Sequence, residues 1–140
     1  MLKTGGILAT RDALASHFYP QSLGLDDLWL GKSRRAIRKG SSEVDATSTR
    51  VPALMRAVGF DEGKVKVGAG TRVFAGRETR RWLGARAEGQ LSEGDPFRQS
   101  WLDVGITESE IQETLGTVRK WVETEDAFFV ALEGEMLAWK

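Results

Sequence analysis

The apolar positions of this chain change period several times, and each change marks an element. Ile7, Leu8 and Ala9 follow the Gly5–Gly6 turn as a short continuous apolar run, the pattern of a strand buried on both faces. Thr10, Arg11 and Asp12 then open a loop that passes through His17, Phe18, Tyr19 and Pro20. Leu25, Leu28, Trp29 and Ala36 return at helical spacing, with Asp26 and Asp27 in the first turn and Arg34, Arg35, Arg38 and Lys39 in the last, each sign suited to the helix dipole at that end. Gly40 stops this helix, and a polar linker, Ser41 to Ser48, leads to a second one. Its stripe is Val51, Leu54, Met55 and Val58, its stop is Gly59, and Pro52 is tolerated only in its first turn.

From Lys64 to Ala75 the period becomes two, placing Val65, Val67, Ala69, Thr71 and Val73 on one face of a long strand and Lys64, Lys66, Gly68, Gly70 and Arg72 on a wetter one. A helix interrupted by Gly84 and Gly89 follows over 77–91. A short helix then starts at Asp95–Pro96, directs Phe97, Trp101 and Val104 to one side, and closes at Gly105. Thr107, Glu108, Ser109 and Glu110 form a capping box flanked by Ile106 and Ile111, so a helix starts there and carries Ile111, Leu115, Val118 and Val122 to about Glu123. Ala127–Leu132 and Glu135–Trp139 read as extended chain ending in a strand.

Composition narrows the possibilities. The 140 residues are 41% apolar and 29% charged, the balance of one soluble globular domain over 1–140. The absence of Cys excludes disulfide frameworks, thiolate metal sites and sulfur redox chemistry. No segment approaches a membrane span or a signal peptide, so a cytoplasmic location with no membrane partner is expected. Twenty basic residues balance twenty acidic ones, yet residues 1–90 hold 16 basic against 9 acidic and residues 91–140 hold 4 against 11. Two oppositely charged surfaces of one fold, or of two chains, account for this without a nucleic-acid partner.

Few candidate motifs survive their structural context. Val65–Arg72 contains Gly68-x-Gly70 after apolar strand residues, but Val73, Phe74 and Ala75 continue the strand where a cofactor loop would turn into a helix, and Arg72 stands where a third Gly would be. A bulge or close-packed strand is the better reading. Lys32, Arg34, Arg35, Arg38 and Lys39 lack interleaved aromatic residues and form a solvated helix end. His17 is the only histidine, which leaves no catalytic triad or multi-histidine metal site; no metal is expected. Asp26, Asp27, Glu108 and Glu110 serve as helix-start charges. There remain Arg11, Asp12, His17 and Tyr19, placed just past the end of the first strand, where open α/β sheets hold ligands, and Trp29, one of five Trp, as a wall for a flat apolar substrate.

The order of these pieces resembles the C-terminal half of class I S-adenosylmethionine-dependent methyltransferases, in the group of ubiquinone and menaquinone methyltransferases and their fungal natural-product relatives. Leu2–Ala9 is similar to that family's fifth strand with Thr4 for a Pro, Leu54–Phe60 to the helix before the sixth, Lys64–Ala75 to the sixth, and Gly134–Lys140 to the antiparallel seventh. Trp101–Glu110 with Asp126–Phe129 is similar to the subgroup's helical insertion. The resemblance implies an α/β fold: a partial Rossmann-like methyltransferase sheet of three strands equivalent to the fifth, sixth and seventh, with about five helices. It also implies that the half carrying the main cofactor contacts is absent. Pro52 departs from the family's usually unbroken helix.

On this reading the chain acts on a small-molecule, natural-product-like acceptor, which Arg11, Asp12, His17, Tyr19 and Trp29 would bind. It holds no cofactor alone, and S-adenosylmethionine only if a complementary half or a dimer rebuilds the site. Complete methyl transfer by the chain alone is not expected. In the family's sheet the fifth strand lies between the fourth and seventh, so loss of the fourth bares an edge that seeks a partner, a second copy or a complementary chain. Two other readings stay open: a cofactor-independent cyclase or pericyclase using the same fold's substrate pocket, and a non-catalytic remnant or oligomerisation module.

Overall fold

The computed structural model describes residues 3–39 and 47–140. Gly40 and most of the polar linker predicted after it lie outside the described residues. Three long strands form one sheet: β1 (Ile7–Tyr19), β2 (Val65–Ala75) and β3 (Phe128–Trp139), in the order β1-β3-β2. The start of β1 pairs with the end of β3, Gly5 N–H donating to the Lys140 carbonyl and Lys140 N–H to that of Gly6, so the two run antiparallel. Arg72 meets Glu133 and Lys66 meets Trp139, which makes β2 antiparallel to β3 as well.

Two expectations about the strands are corrected. The first strand is neither short nor buried on both faces: β1 has 13 residues, and Ile7 is 56% exposed because β3 is the only strand paired with β1 among the described residues. Arg11, Asp12, His17 and Tyr19 therefore lie within β1 and not in a loop beyond it. The alternation breaks at Arg11–Ala13, all exposed, and resumes over Leu14–Phe18, and these polar and small residues hid the strand. The proposed apolar face of β2 is also not a buried one, since Val67 and Val73 are 63% and 59% exposed. The two extended segments at the C-terminus are one strand, β3.

The described residues gather in two compact units. The first comprises residues 3–16, 47–72 and 131–140. Its core is Met55 of helix α2 (Val51–Ala57) packed with Met136 and Ala138, joined by Leu8, Val51, Phe60 and Val65. Pro52 sits in the first turn of α2, where its missing N–H costs nothing. Gly59 follows with φ 90°, a left-handed stop that favours glycine. Asp61 caps a tight turn over Glu62–Lys64 by accepting the Gly63 N–H.

The second unit comprises residues 17–39 and 73–130. A wide helical segment, Asp26–Gly31, runs into helix α1 (Lys32–Ile37), and helices α3 (Arg77–Gln90), α4 (Pro96–Asp103) and α5 (Glu108–Glu123) follow in order. Two apolar clusters fill it, one around Trp101, Ile106, Ile111 and Leu115, the other around Leu25, Ala87, Val118 and Trp121. Burying each large side chain contributes about 1.5–3 kcal/mol, and Trp101 and Trp121 are almost wholly enclosed. Asp95 caps α4 through the Phe97 N–H, and the Thr107–Glu110 capping box of α5 forms in full. Gly84, which weakens α3 locally, has a packing reason: a Cβ there would lie 2.5 Å from Cγ2 of Val122 on α5. The buried Arg80 on the next turn donates to the carbonyls of Val122 and Ala127, closing the end of α5.

Gly84→Ala should overpack the α3–α5 contact and cost about 1–3 kcal/mol in urea unfolding, with part of the loss restored by Val122→Ala in the double variant. The carboxyl of Glu110 is held below its ordinary value by the Thr107 N–H and hydroxyl, and that of Asp103 by hydrogen bonds from Lys39 and Gln99. Because both folded values are depressed, their stabilisation is present above the ordinary carboxylate range and is lost as pH falls through the folded values. Glu110→Gln should flatten that acid limb of the stability curve, and Thr107→Ala should cost about 1 kcal/mol at neutral pH.

Candidate functional site

Two polar arrangements stand out, one in each unit. In the second unit the chain leaves β1 at Tyr19, turns at Pro20 and over Gln21–Leu23, and enters the helical segment at Asp26. This return places the Asp26 carboxylate against the strand end it has just left. One oxygen accepts the Phe18 N–H at 2.7 Å and the other lies 2.8 Å from Nδ1 of His17. A carboxylate in that position favours the tautomer with the proton on Nδ1, which leaves the Nε2 lone pair as the ring's proton acceptor. The His17 side chain is 48% exposed, so that nitrogen is within reach of solvent or a ligand. The arrangement sets Asp26 against Nδ1 and leaves Nε2 facing outward, where it could accept a proton from a bound group.

Aromatic rings order this strand end. Tyr19 stacks on Phe128 of β3, with centroids 4.7 Å apart and planes 16° from parallel. Phe18, on the opposite face, meets Trp121 edge-on at 5.3 Å and Phe129 at 4.6 Å. Trp121 fixes the backbone as well, its indole N–H donating to the Tyr19 carbonyl at 2.9 Å. His17 and Tyr19, two residues apart on a strand, share the face away from the helical core.

In the first unit Arg11 is drawn to β3. Its Nε lies 2.5 Å from a Glu133 oxygen and 3.2 Å from one of Glu135, while Nη2 of Arg72 reaches the other Glu133 oxygen at 2.8 Å. Glu133 is only 5% exposed, a buried carboxylate held between two guanidiniums. Asp12 takes no part, its side chain accepting the N–H of its neighbour Ala13. Trp29 is a core residue and not a pocket wall, with centroids 5.7 Å from Trp101 and 6.1 Å from Phe97.

Of the five residues singled out in the sequence, the structure thus brings His17 and Tyr19 to one strand end, puts Trp29 in the core of the same unit, and leaves Arg11 and Asp12 in the other unit. Sequence reading missed the second role of Asp26, which also serves as a helix-start charge, and missed Arg72, Glu133 and Glu135 altogether. The alternation of Glu133 and Glu135 in a strand was a signal for one shared face. Among the described residues no group of three or more His, Cys, Asp or Glu side chains is placed to hold a metal, and no helix is long and apolar enough to cross a membrane.

By its sequence the chain is methyltransferase-like. The chain is 56% identical over 143 aligned residues to the probable methyltransferase ltbC of Aspergillus luteorubrus. The match takes in all of this chain and 50% of that protein, so the chain spans about half the length of the relative it matches. No family model matches the chain.

Asp26→Ala should cost about 1–3 kcal/mol in urea unfolding, because it strands the part-buried Phe18 N–H, whereas His17→Asn should cost less than about 1 kcal/mol at its half-exposed site. Equal losses from the two variants would show that the ring, and not the strand N–H, is what Asp26 secures.

Proposed function

We propose that this chain is the acceptor-side half of a methyltransferase that uses S-adenosylmethionine as donor and a small molecule as acceptor. The observation that carries this reading is the 56% identity extending along the whole chain to half of a probable methyltransferase. The pairing of β1 with β3 supports it, since strands similar to a fifth and a seventh would be neighbours.

The residues present do not fit S-adenosylmethionine by themselves. The Gly-x-Gly run lies inside β2, and the Cβ position at Gly70 faces the Glu135 carboxylate at 2.9 Å instead of opening a phosphate-type or sulfonium-type loop at a helix start. The donor site would have to come from sequence outside these 140 residues. The contribution of this chain is on the acceptor side: His17, oriented by Asp26, takes the proton from an acceptor hydroxyl, and Tyr19 and Phe128 offer an aromatic surface beside it.

Calorimetric titration tests the division of labour. The purified chain should show no heat of binding with S-adenosylmethionine or S-adenosylhomocysteine, and binding should appear when a polypeptide containing the other half of the Aspergillus luteorubrus relative is added in equal amount. Micromolar binding by this chain alone would overturn the split-site reading.

A further inference from the structure

The exposed sheet face of the first unit contains a cavity of about 440 Å³ lined from all three strands. That volume is within the range of small-molecule sites. Its opening comes from glycine. Gly68 lines the cavity and carries no side chain to fill it, the Cβ position there having only the Glu135 carbonyl oxygen at 3.9 Å, while at Gly70 any Cβ would press on the Glu135 carboxylate and come within 3.4 Å of Nη2 of Arg11. The Gly-x-Gly that fails as a cofactor loop therefore serves to hollow out a strand.

The walls are chemically divided. Leu137, 41% exposed, and the exposed Ala9 form its apolar part. Arg11, Lys66 and Glu135 are the charged lining groups, two cations against one carboxylate, and Glu133 beneath them is already shared between Arg11 and Arg72. Arg11 keeps part of its five-donor fork available, since its side chain is 49% exposed although Nε is engaged by the two glutamates. Lys66 lies 5.5 Å from the Trp139 ring centroid, which holds its ammonium near the cavity. We propose that this cavity binds a small apolar monocarboxylate, its anionic group on Arg11 and Lys66 and its body against Ala9 and Leu137. The proposal is independent of the methyl-transfer reading.

The probe is 4-fluorobenzoate, followed by fluorine NMR against the intact chain, with 4-fluorobenzyl alcohol as an uncharged analogue. The acid should bind saturably and about tenfold or more tighter than the alcohol, because a charge-assisted contact to a guanidinium is lost in the latter. Gly68→Leu should abolish binding by filling the cavity. Lys66→Gln, at an exposed position that leaves the Arg11–Glu133–Arg72 cluster intact, should weaken the acid severalfold and leave the alcohol unchanged. Equal binding of acid and alcohol, no saturable binding of the acid at millimolar concentration, or an unchanged affinity in Gly68→Leu would overturn the proposal. The comparison of acid and alcohol needs no variant and holds even if a substitution disturbs folding.

Discussion

The structure depends on β3. Among the described residues it is the only strand with a hydrogen-bonded neighbour on both sides, and it alone of the three is substantially buried, at Ala131, Glu133, Gly134, Met136 and Ala138. A strand so placed must satisfy two ladders and two faces at once, which constrains its residues more tightly than those of either neighbour. Met136 and Ala138 supply an apolar face to α2, and Glu133 and Glu135 supply a charged face to Arg11 and Arg72. Gly134 lets the Leu14 methyls approach to within 3.1–3.2 Å of where a Cβ would stand.

The charged face is the costlier of the two. A carboxylate as buried as that of Glu133 loses several kcal/mol of hydration, and its pairing with two guanidiniums offsets that loss without turning it into a large net gain. Removing either arginine would leave part of the buried charge uncompensated, so the three residues are best understood as one unit. Their arrangement specifies register: Arg11 and Arg72 come from opposite sides and meet the same carboxylate, which a slip of one residue in either ladder would break.

The His17–Asp26 pair follows another logic. It is made locally, by a chain that leaves a strand, turns and re-enters as a helix nine residues later, so its geometry is secured by the same Asp26 carboxylate that holds the Phe18 N–H. A pair built this way is held by two successive elements and one short turn between them.

Much was legible in the sequence because it is local. The Thr107–Glu110 capping box, the Asp95–Pro96 start of α4, the glycine stops at Gly59 and Gly105, and the helical stripe of α5 are each set by residues within one or two turns of each other, and all appear in the fold. What the sequence did not decide is long-range. The polar half of β1 became strand because β3 pairs with it, Trp29 became core because Trp101 and Phe97 close over it, and Gly84 became a packing contact because Val122 lies against it. The Glu133 cluster joins residues more than sixty and more than one hundred and twenty positions apart, and the cavity over Gly68 needs all three strands in place. Caps and stripes are written in neighbouring residues, whereas the pairing of strands and the burial of a charge exist only once distant segments have met.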